Sequence, residues 1–368
     1  MTFKPGLEGV VAAQTAISNV DGDLGQLTYR GYAIEDLVEQ RYLSVLWLIM
    51  FGDLPDESEY ADLDAFLSSH GALSARDVAM IELVMQDRHP MQSLQALVPA
   101  LHLPPQFIFQ GLDETGSRGL QVIAKMPALI ATLRQLELGA APPKFDSYRG
   151  YLDNFLAMFT GTEPSREAVR ILKIVQILQM EHSLNSGTFA SLVVGSTLAP
   201  VEAVFSAGIG ALSGALHGGA DEAAVRAAYE VGSPEKAEAW VASLLAGGGK
   251  FMGMGHREYR VMDPRAIILK PIAEQICPGS PAENTLRTLE AMGAAFASRM
   301  GDKPIKPNME FYKGAILEAL GIPMHYFTAL FAMSRMVGWL AHLMEFRPNN
   351  RLLRPRAEYI GLPPRKLE

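Results

Sequence analysis

Residues 247–265 read GGGKFMGMGHREYRVMDPR, and no other stretch of the chain is so poorly suited to a purely structural role. Five of its first nine residues are glycines, which are tolerated mainly where the backbone turns with positive φ or approaches a ligand closely. Backbone N–H groups in such a loop can bind an anion when basic side chains flank them. The basic side chains here are Lys250, Arg257, Arg260 and Arg265. A flexible basic loop without a ligand is the alternative interpretation.

The spacing of His256 and Arg265 resembles a signature of the citrate synthase family, GxGHRxYxxxDPR, which follows a glycine-rich loop. Further motifs occur in the family's order. They are residues 6–11 (GLEGVV), 29–32 (YRGY), 181–189 (EHSLNSGTF), 216–220 (LHGGA), 308–312 (NMEFY) and 350–361 (NRLLRPRAEYIG). The resemblance therefore extends from about residue 6 to the C-terminus.

Composition sets bounds on the class of protein. A chain of 368 residues is long enough for two domains and a large core. The net charge of −8 argues against general nucleic-acid binding and against a basic membrane-binding face, so an anionic substrate would need a local cationic pocket. The single cysteine, Cys277, permits no intrachain disulfide, and the first residues lack the pattern of a signal peptide. We therefore expect a cytoplasmic protein.

Two long stretches, residues 183–201 and 203–220, contain no Asp, Glu, Lys or Arg and approach the length of a membrane span. They are rich in Gly, Ala, Ser and Thr, and Pro200 lies within the first of them. Small residues of this kind favour helices that pack very closely inside a protein, and we expect no membrane association. The resemblance implies that these are central helices at a dimer interface.

The chain as a whole has the pattern of an all-α fold. Residues 10–32 suggest a small hairpin or irregular arm around the turn residues Asp21, Gly22 and Asp23. Helical periodicity predicts helices over 45–51, 75–85, 91–101, 120–138, 151–159 and 166–180. The resemblance implies two domains. It assigns residues 1–217 and 313–368 to a large helical domain, residues 218–312 to a small one, and the active site to the cleft between them.

Arg335 stands out without any reference to a family. Residues 326–340 are apolar or small except for Arg335, so its guanidinium is expected to be buried. A buried cation without an anion is very costly, so either an internal carboxylate or a bound anion must accompany it, and we favour the ligand. His217 and Glu310 taken alone also fit ordinary roles, a core or capping histidine and an acid at a helix start.

The resemblance implies a catalytic role for three residues. Carbon–carbon bond formation from a thioester needs a base for a weakly acidic α-proton and a donor that stabilises the enolate. By resemblance Glu310 is the base and His217 the enolate-stabilising donor. His256 polarises the ketone of an oxo acid and protonates the resulting alkoxide.

The resemblance also implies binding roles. His182, Arg265 and Arg335 hold the carboxylates of the oxo acid, and Arg354 reaches across from the second subunit of a homodimer. Arginine suits planar carboxylates because its fork donates two hydrogen bonds. Coenzyme A phosphates would meet some of Lys250, Arg257, Lys303 and Lys306. No metal and no permanently bound cofactor is implied, since the acyl-CoA is a co-substrate.

Three functions remain open on these grounds. The first is a citrate synthase, which converts acetyl-CoA, oxaloacetate and water to citrate and coenzyme A. The second is a 2-methylcitrate synthase, which uses propionyl-CoA; the added methyl group is worth only ~1–3 kcal/mol of discrimination. The third is a non-catalytic paralogue that binds these ligands. Its support is Glu310, because the family usually has aspartate there and the extra methylene moves the carboxylate by ~1.5 Å.

Overall fold

The structure is a computed structural model that describes residues 3–105, 108–301 and 305–366. Its described part is predominantly α-helical, which confirms the predicted fold class. One small antiparallel sheet lies near the N-terminus, with strands β1 (Ser18–Asp21), β2 (Gln26–Tyr29) and β3 (Tyr32–Ala33) in sequence order. The register pairs Ser18 with Tyr29 and Asp21 with Gln26, so the predicted hairpin is present.

Two helices of the first half of the chain, Ile34–Leu37 and the 14-residue Glu57–His70, have no counterpart among the predicted segments. The other six agree with their predicted segments to within a few residues. The largest difference is at the start of α6, where the side chain of Asp113 caps the helix by accepting from the Gly116 N–H, so α6 begins six residues before the predicted position. The helices are α1 (Ile34–Leu37), α2 (Tyr42–Phe51), α3 (Glu57–His70), α4 (Ala75–Val84), α5 (Pro90–Leu97), α6 (Glu114–Glu137), α7 (Tyr151–Thr160) and α8 (Arg166–Gln179).

The helices of the second half include the most buried one. They are α9 (Ser186–Gly195), α10 (Val201–Leu212), α11 (Ala220–Val231), α12 (Ala237–Ala246), α13 (Pro264–Ile276), α14 (Glu283–Met300), α15 (Met309–Ala319) and α16 (Phe327–Phe346). Helix α16 packs against α2, α6, α8, α9 and α10 and is the central element of the core. Helices α11 to α15 pack mainly on one another. Residue 312, a predicted domain boundary, falls within α15.

Helices α9, α10 and α16 approach each other closely because glycines lie where they cross. A Cβ atom added to Gly208 would lie 2.6 Å from the Ser191 Oγ and 2.8 Å from the Trp339 ring. A Cβ atom on Gly195 would lie 2.5 Å from Leu343 Cδ1. Larger residues would force these helices apart, so the two uncharged stretches form closely packed helices as predicted.

One segment of the described chain, Met324–Asn349, is long and apolar enough to cross a membrane by length and composition alone. It contains α16, and 94% of its most apolar window is buried inside the protein. A core helix passes the same test, and burial by other helices accounts for its apolar composition.

Candidate active site

The glycine-rich loop between α12 and α13 is hydrogen-bonded to the segment at the start of α15. Gly253 and Gly255 have φ of +91° and +81°, which side-chain-bearing residues rarely adopt. Their peptide groups bond to the segment before α15: the Gly255 N–H donates to the Lys306 carbonyl at 2.8 Å, and the Asn308 N–H donates to the Gly253 carbonyl at 3.0 Å. The Asn308 side chain also donates to the Gly255 carbonyl at 2.7 Å. This pairing brings His256 toward Glu310.

The β1–β2 turn packs against the other side of the same loop. A Cβ atom on Gly22 would lie 2.0 Å from the Glu258 carbonyl oxygen, so only glycine fits there. The Arg260 N–H donates to the Gly22 carbonyl at 2.8 Å. The loop is therefore held from both sides although it is rich in glycine.

His256 is oriented by backbone donors. Its Nδ1 accepts from the Glu258 N–H at 3.1 Å and from the Tyr259 N–H at 3.4 Å. A neutral imidazole whose Nδ1 is an acceptor carries its proton on Nε2. Burial and the neighbouring Arg265 guanidinium lower the pKa of His256, so the neutral form predominates at neutral pH. The Nε2 atom lies 3.4 Å from Arg265 Nη2.

Arg265 is buried and neutralised within the chain. Its side chain forms a two-point contact with Asp263, with Nε–Oδ1 at 3.0 Å and Nη2–Oδ2 at 2.8 Å. Burial acts to lower the pKa of Arg265, but the Asp263 carboxylate outweighs it and the net shift is upward. Asp263 also accepts from the backbone N–H of Arg265 and of Met309, which ties the start of α13 to that of α15.

His182 follows the end of α8 and is 8% exposed. Its Nε2 lies 3.1 Å from the Tyr259 hydroxyl, and its ring centre lies 5.3 Å from that of His256. Burial, followed by the positive charges of Arg265 and of other neighbours, lowers the pKa of His182 well below its usual value. The imidazole is therefore neutral.

Arg335 is 1% exposed, which confirms the predicted burial, and it is held differently from Arg265. Its Nε donates to the Gln179 carbonyl at 2.6 Å, and its guanidinium carbon lies 4.7 Å from the centre of the Phe331 ring. Among the side chains that the structure describes, no carboxylate oxygen lies within 4.0 Å of it. Burial lowers the pKa of Arg335 to about 10, so it is still charged at neutral pH. This is the setting in which a bound anion is most favourable.

His217 lies in the turn after α10, with its ring edge-on to Phe331 at 6.2 Å between centres. Its Nε2 is buried and has no hydrogen-bond partner in the described part of the chain. Burial and the Arg335 charge lower the pKa of His217 to about 4. The ring is thus neutral, and its Nε2 can bond to a ligand.

Glu310 lies in the first turn of α15, which Asn308 caps by accepting from the Glu310 N–H at 3.1 Å. The Glu310 carboxylate acts to raise the pKa of two arginines and two histidines, in opposition to burial, which lowers it. This is the effect expected of an anion close to all four groups. The four groups are His217, His256, Arg265 and Arg335.

The structure thus brings together six predicted residues and divides them by exposure. We call His182, Arg265 and Arg335 the buried set, and His217, His256 and Glu310, which are half-buried, the half-buried set. The remaining predicted residues lie outside this cluster. Arg354 is exposed in the extended segment after α16, Lys250, Arg257 and Lys306 are exposed, and Lys303 lies outside the described residues.

Sequence reasoning missed several residues of the cluster. Lys313 is fully buried, donates from Nζ to the Gln179 Oε1 at 3.0 Å, and lies 4.5 Å from the Phe331 ring centre. The signal that could have found it is helical spacing, since it follows Glu310 by three residues on α15. Asp263 is not among the predicted site residues, although an acid two residues from Arg265 could have indicated the pair.

A separate depression of about 400 Å³ lies between α6 and α7. It is lined by polar side chains that include Gln135, Arg149 and Glu163, and none of the predicted site residues lines it. Arg149 there is already paired with Asp153 at 3.2 Å and with Glu163 at 3.0 Å. Arg149 therefore differs from Arg335, which has no described carboxylate oxygen within 4.0 Å.

A buried arginine with no described carboxylate oxygen within 4.0 Å, three neutral imidazoles and a half-buried carboxylate form the arrangement expected of an enzyme site for acid–base chemistry on an anionic substrate. The family model described as "Citrate synthase, C-terminal domain" matches residues 6–356. The chain belongs to the citrate synthase family.

Individual relatives agree with this assignment over nearly their full lengths. The citrate synthase of Synechocystis sp. is 35% identical over 98% of this chain and 91% of its own length. The 2-methylcitrate synthase 2 of Corynebacterium glutamicum is 34% identical over 97% of this chain and 94% of its own. A solved ternary complex of carboxymethyl coenzyme A and oxaloacetate with citrate synthase from Thermoplasma acidophilum superposes with a TM-score of 0.91, at 30% identity, and covers 98% of this chain and 97% of that one.

Proposed function

We propose that this protein is a citrate synthase that condenses acetyl-CoA with oxaloacetate and water to give citrate and coenzyme A. The observation that carries the proposal is the convergence of Glu310, His217 and His256 beside the uncompensated Arg335. Family membership supports the same reaction.

The buried set would bind the oxo acid. Arg335 supplies a positive charge with no described carboxylate oxygen within 4.0 Å, and Arg265 supplies a guanidinium oriented by Asp263. The guanidinium groups and the His182 ring would hold the two carboxylates of oxaloacetate. With His256 Nδ1 occupied by backbone donors, its Nε2–H would donate a hydrogen bond to the ketone oxygen.

The half-buried set would perform the chemistry. The Glu310 carboxylate removes a proton from the methyl group of the acetyl thioester, and the neutral His217 stabilises the enolate oxygen by a hydrogen bond. The enolate carbon attacks the ketone carbon, the alkoxide takes the Nε2 proton of His256, and the proton that Glu310 removed restores the neutral His256. Water then hydrolyses the citryl thioester and releases citrate and coenzyme A.

Several further points belong to the same proposal. Residues 218–312 would form the small domain of a cleft that closes over the substrates, with the rest of the chain as the large domain.

Lys250, Arg257, Lys303 and Lys306 would supply contacts to the coenzyme A phosphates, from the loop and from the segment before α15. A second copy of the chain would bring its Arg354 to the oxo acid, since Arg354 is exposed in this chain. The buried lone Cys277 fits a protein of the cytoplasm.

A second function with the same chemistry is 2-methylcitrate synthesis from propionyl-CoA, and the relative from Corynebacterium glutamicum supports it. The two functions differ by one methyl group on the donor. Since such a difference is worth only ~1–3 kcal/mol, both donors are expected to react, with acetyl-CoA preferred by kcat/KM.

The test is the release of free coenzyme A from each donor, with and without oxaloacetate. We expect oxaloacetate-dependent release with acetyl-CoA as the better donor. Faster turnover of propionyl-CoA would assign the protein to the second function. No release from either donor, in a preparation that binds oxaloacetate, would identify a non-catalytic ligand-binding paralogue and overturn the proposal.

A further inference from the structure

A buried acid–histidine pair lies behind the oxo-acid site and is not used by the chemistry above. Glu181, immediately before His182, is fully buried. Its Oε1 accepts from the His342 Nε2 at 2.9 Å and from the Ser18 Oγ at 3.0 Å. His342 itself is 3% exposed. An ion pair this deep in a protein is costly to desolvate, and it calls for an explanation beyond stability.

One consequence of this pair is local to His182. The Ser18 Oγ accepts from the Ser183 N–H at 2.9 Å while it donates to Glu181. Ser183 has φ of +52°, a left-handed conformation that non-glycine residues rarely adopt. The carboxylate and Ser18 therefore hold a strained backbone turn that presents the His182 ring to the site.

A second consequence concerns Arg335, which shares α16 with His342. Positions 335, 338 and 342 follow the spacing of three and four residues that places side chains on one helix face. Gly338 leaves room for the carboxylate, since a Cβ atom there would lie 2.2 Å from Glu181 Oε2. That oxygen has no hydrogen-bond partner in the described part of the chain. The Glu181 charge acts on Arg335 across this space and opposes the lowering of the pKa of Arg335 by burial.

The charges around His342 come from several elements. Burial would lower the pKa of His342, but the hydrogen-bonded Glu181 carboxylate outweighs burial and the net shift is upward. Glu345 on α16 adds to the upward shift and Arg335 on the same helix opposes it. Arg30, after β2, interacts with both Glu181 and Glu345. His342 is thus the titratable group that decides whether Glu181 has a protonated partner at neutral pH.

We propose that His342 is a positioning residue of the oxo-acid site, whose imidazolium neutralises Glu181 so that Arg335 keeps its charge for the substrate carboxylate. When His342 loses its proton, Arg335 becomes the main countercharge of Glu181, and its attraction for an anionic ligand falls. This proposal rests on oxaloacetate binding as proposed above.

The expected change in oxaloacetate affinity follows from the geometry of α16. Seven residues of an α-helix rise by about 10 Å, so His342 and Arg335 are about that far apart along the axis. One unit of charge at roughly 10 Å, with an effective dielectric constant of about 20, changes an affinity by about tenfold.

The experiment is calorimetric titration of oxaloacetate into the whole chain between about pH 6 and about pH 9, where oxaloacetate keeps a constant charge, with the protonation of His342 followed by NMR on the same samples. Three forms are compared: the parent, His342→Gln and Ser18→Ala. Glutamine can still donate a hydrogen bond to Glu181 but carries no charge. Ser18→Ala removes the hydroxyl that accepts from the Ser183 N–H, so it loosens the turn at Ser183 without changing any charge.

We expect parental binding to weaken about tenfold as His342 deprotonates, and His342→Gln to bind weakly and equally at all pH values. Ser18→Ala should keep the pH dependence. Parental binding that is flat across the His342 titration, followed by histidine NMR, would overturn the proposal even if His342→Gln did not fold. A folded His342→Gln with the parental profile would overturn it too. If the parent does not bind oxaloacetate at any pH, it is the proposed function that has failed.

Discussion

The buried and half-buried sets of the candidate site are held in different ways. Each member of the buried set is fixed by partners within the chain, such as Asp263 for Arg265 and the Gln179 carbonyl for Arg335. The half-buried set keeps unfilled hydrogen-bonding capacity, most clearly at His217 Nε2. Groups that only bind can be preorganised, whereas groups that exchange protons must remain accessible to the substrate.

The two buried arginines extend the comparison. Arg265 lies at a helix start, two residues from the carboxylate that neutralises it, and the pair also anchors α13 to α15. Arg335 lies in the middle of α16 with no described carboxylate within 4.0 Å. On the proposed function, the first arginine would serve both stability and binding, and the second would serve binding. Mutations should separate these roles.

The largest expected effect is on turnover, at Glu310. Glu310→Gln removes the base but keeps the shape of the side chain, so kcat should fall by about 10³-fold while oxaloacetate affinity changes little. The measurement is steady-state release of coenzyme A beside calorimetric binding. Glu310→Asp is the matched control. It keeps the charge and shortens the reach by ~1.5 Å, so its activity should lie between the two. Parental activity in Glu310→Gln would remove this residue from its role.

The next largest expected effect distinguishes the two buried arginines, Arg335 and Arg265. Arg335→Met should weaken oxaloacetate binding by about 100-fold or more and leave the free energy of unfolding nearly unchanged, because it removes a buried cation with no described carboxylate oxygen within 4.0 Å. Arg265→Met should cost about 3–5 kcal/mol of stability, because Asp263 then stays buried without its partner. Urea unfolding of each variant measures this. The double variant Arg265→Met with Asp263→Asn should recover much of the loss. Equal destabilisation by both single variants would contradict the distinction.

A smaller effect is expected at Arg354, which is exposed and belongs to neither set. Arg354→Ala should raise KM for oxaloacetate by about tenfold with no change in melting temperature, because the proposal places the charged contact of Arg354 between subunits and the side chain is exposed within its own chain. Arg351→Ala, a neighbouring exposed arginine, is the control. Mixed dimers of Arg354→Ala with His217→Ala should regain activity. Inactive mixed dimers would argue against a site shared between copies.

The smallest effect is a pH dependence of stability. His217 has a pKa of about 4 in the folded protein against an ordinary value of 6.5. Below pH 6.5 the unfolded chain binds a proton that the folded chain does not, so stability should fall as the pH falls toward 4. The contribution approaches ~1.4 kcal/mol per pH unit within that window. His217→Gln should reduce the slope measured by urea unfolding. An unchanged slope would show that His217 is not desolvated as described.

The sequence predicted local features of the fold better than long-range pairs. Helical periodicity located six of the eight helices that lie before residue 180 but not Glu57–His70, and the isolated charge among apolar residues 326–340 predicted a buried Arg335. The sequence could not predict the contact between His342 and Glu181. The two residues are 161 positions apart, and neither carries a local signal of its partner. The start of α6 was misplaced because the cap at Asp113 precedes the periodic segment.

The candidate site was accessible to sequence reasoning for a different reason. Motifs in a fixed order identified six residues that the structure brings into one cluster, although they come from distant parts of the chain. The spacing of Asp263 and Arg265 could have indicated an internal countercharge for Arg265. The surroundings of Arg335 carry no such local signal, because Glu181 is distant in the chain, and they required the coordinates.

The central claim is that binding and proton transfer reside in different sets of residues. The most direct test is to measure oxaloacetate affinity and coenzyme A release on the same preparations of Glu310→Gln and Arg335→Met. The account predicts that Glu310→Gln binds oxaloacetate like the parent and releases almost no coenzyme A, whereas Arg335→Met loses binding. Loss of binding in Glu310→Gln, or parental affinity in Arg335→Met, would contradict it.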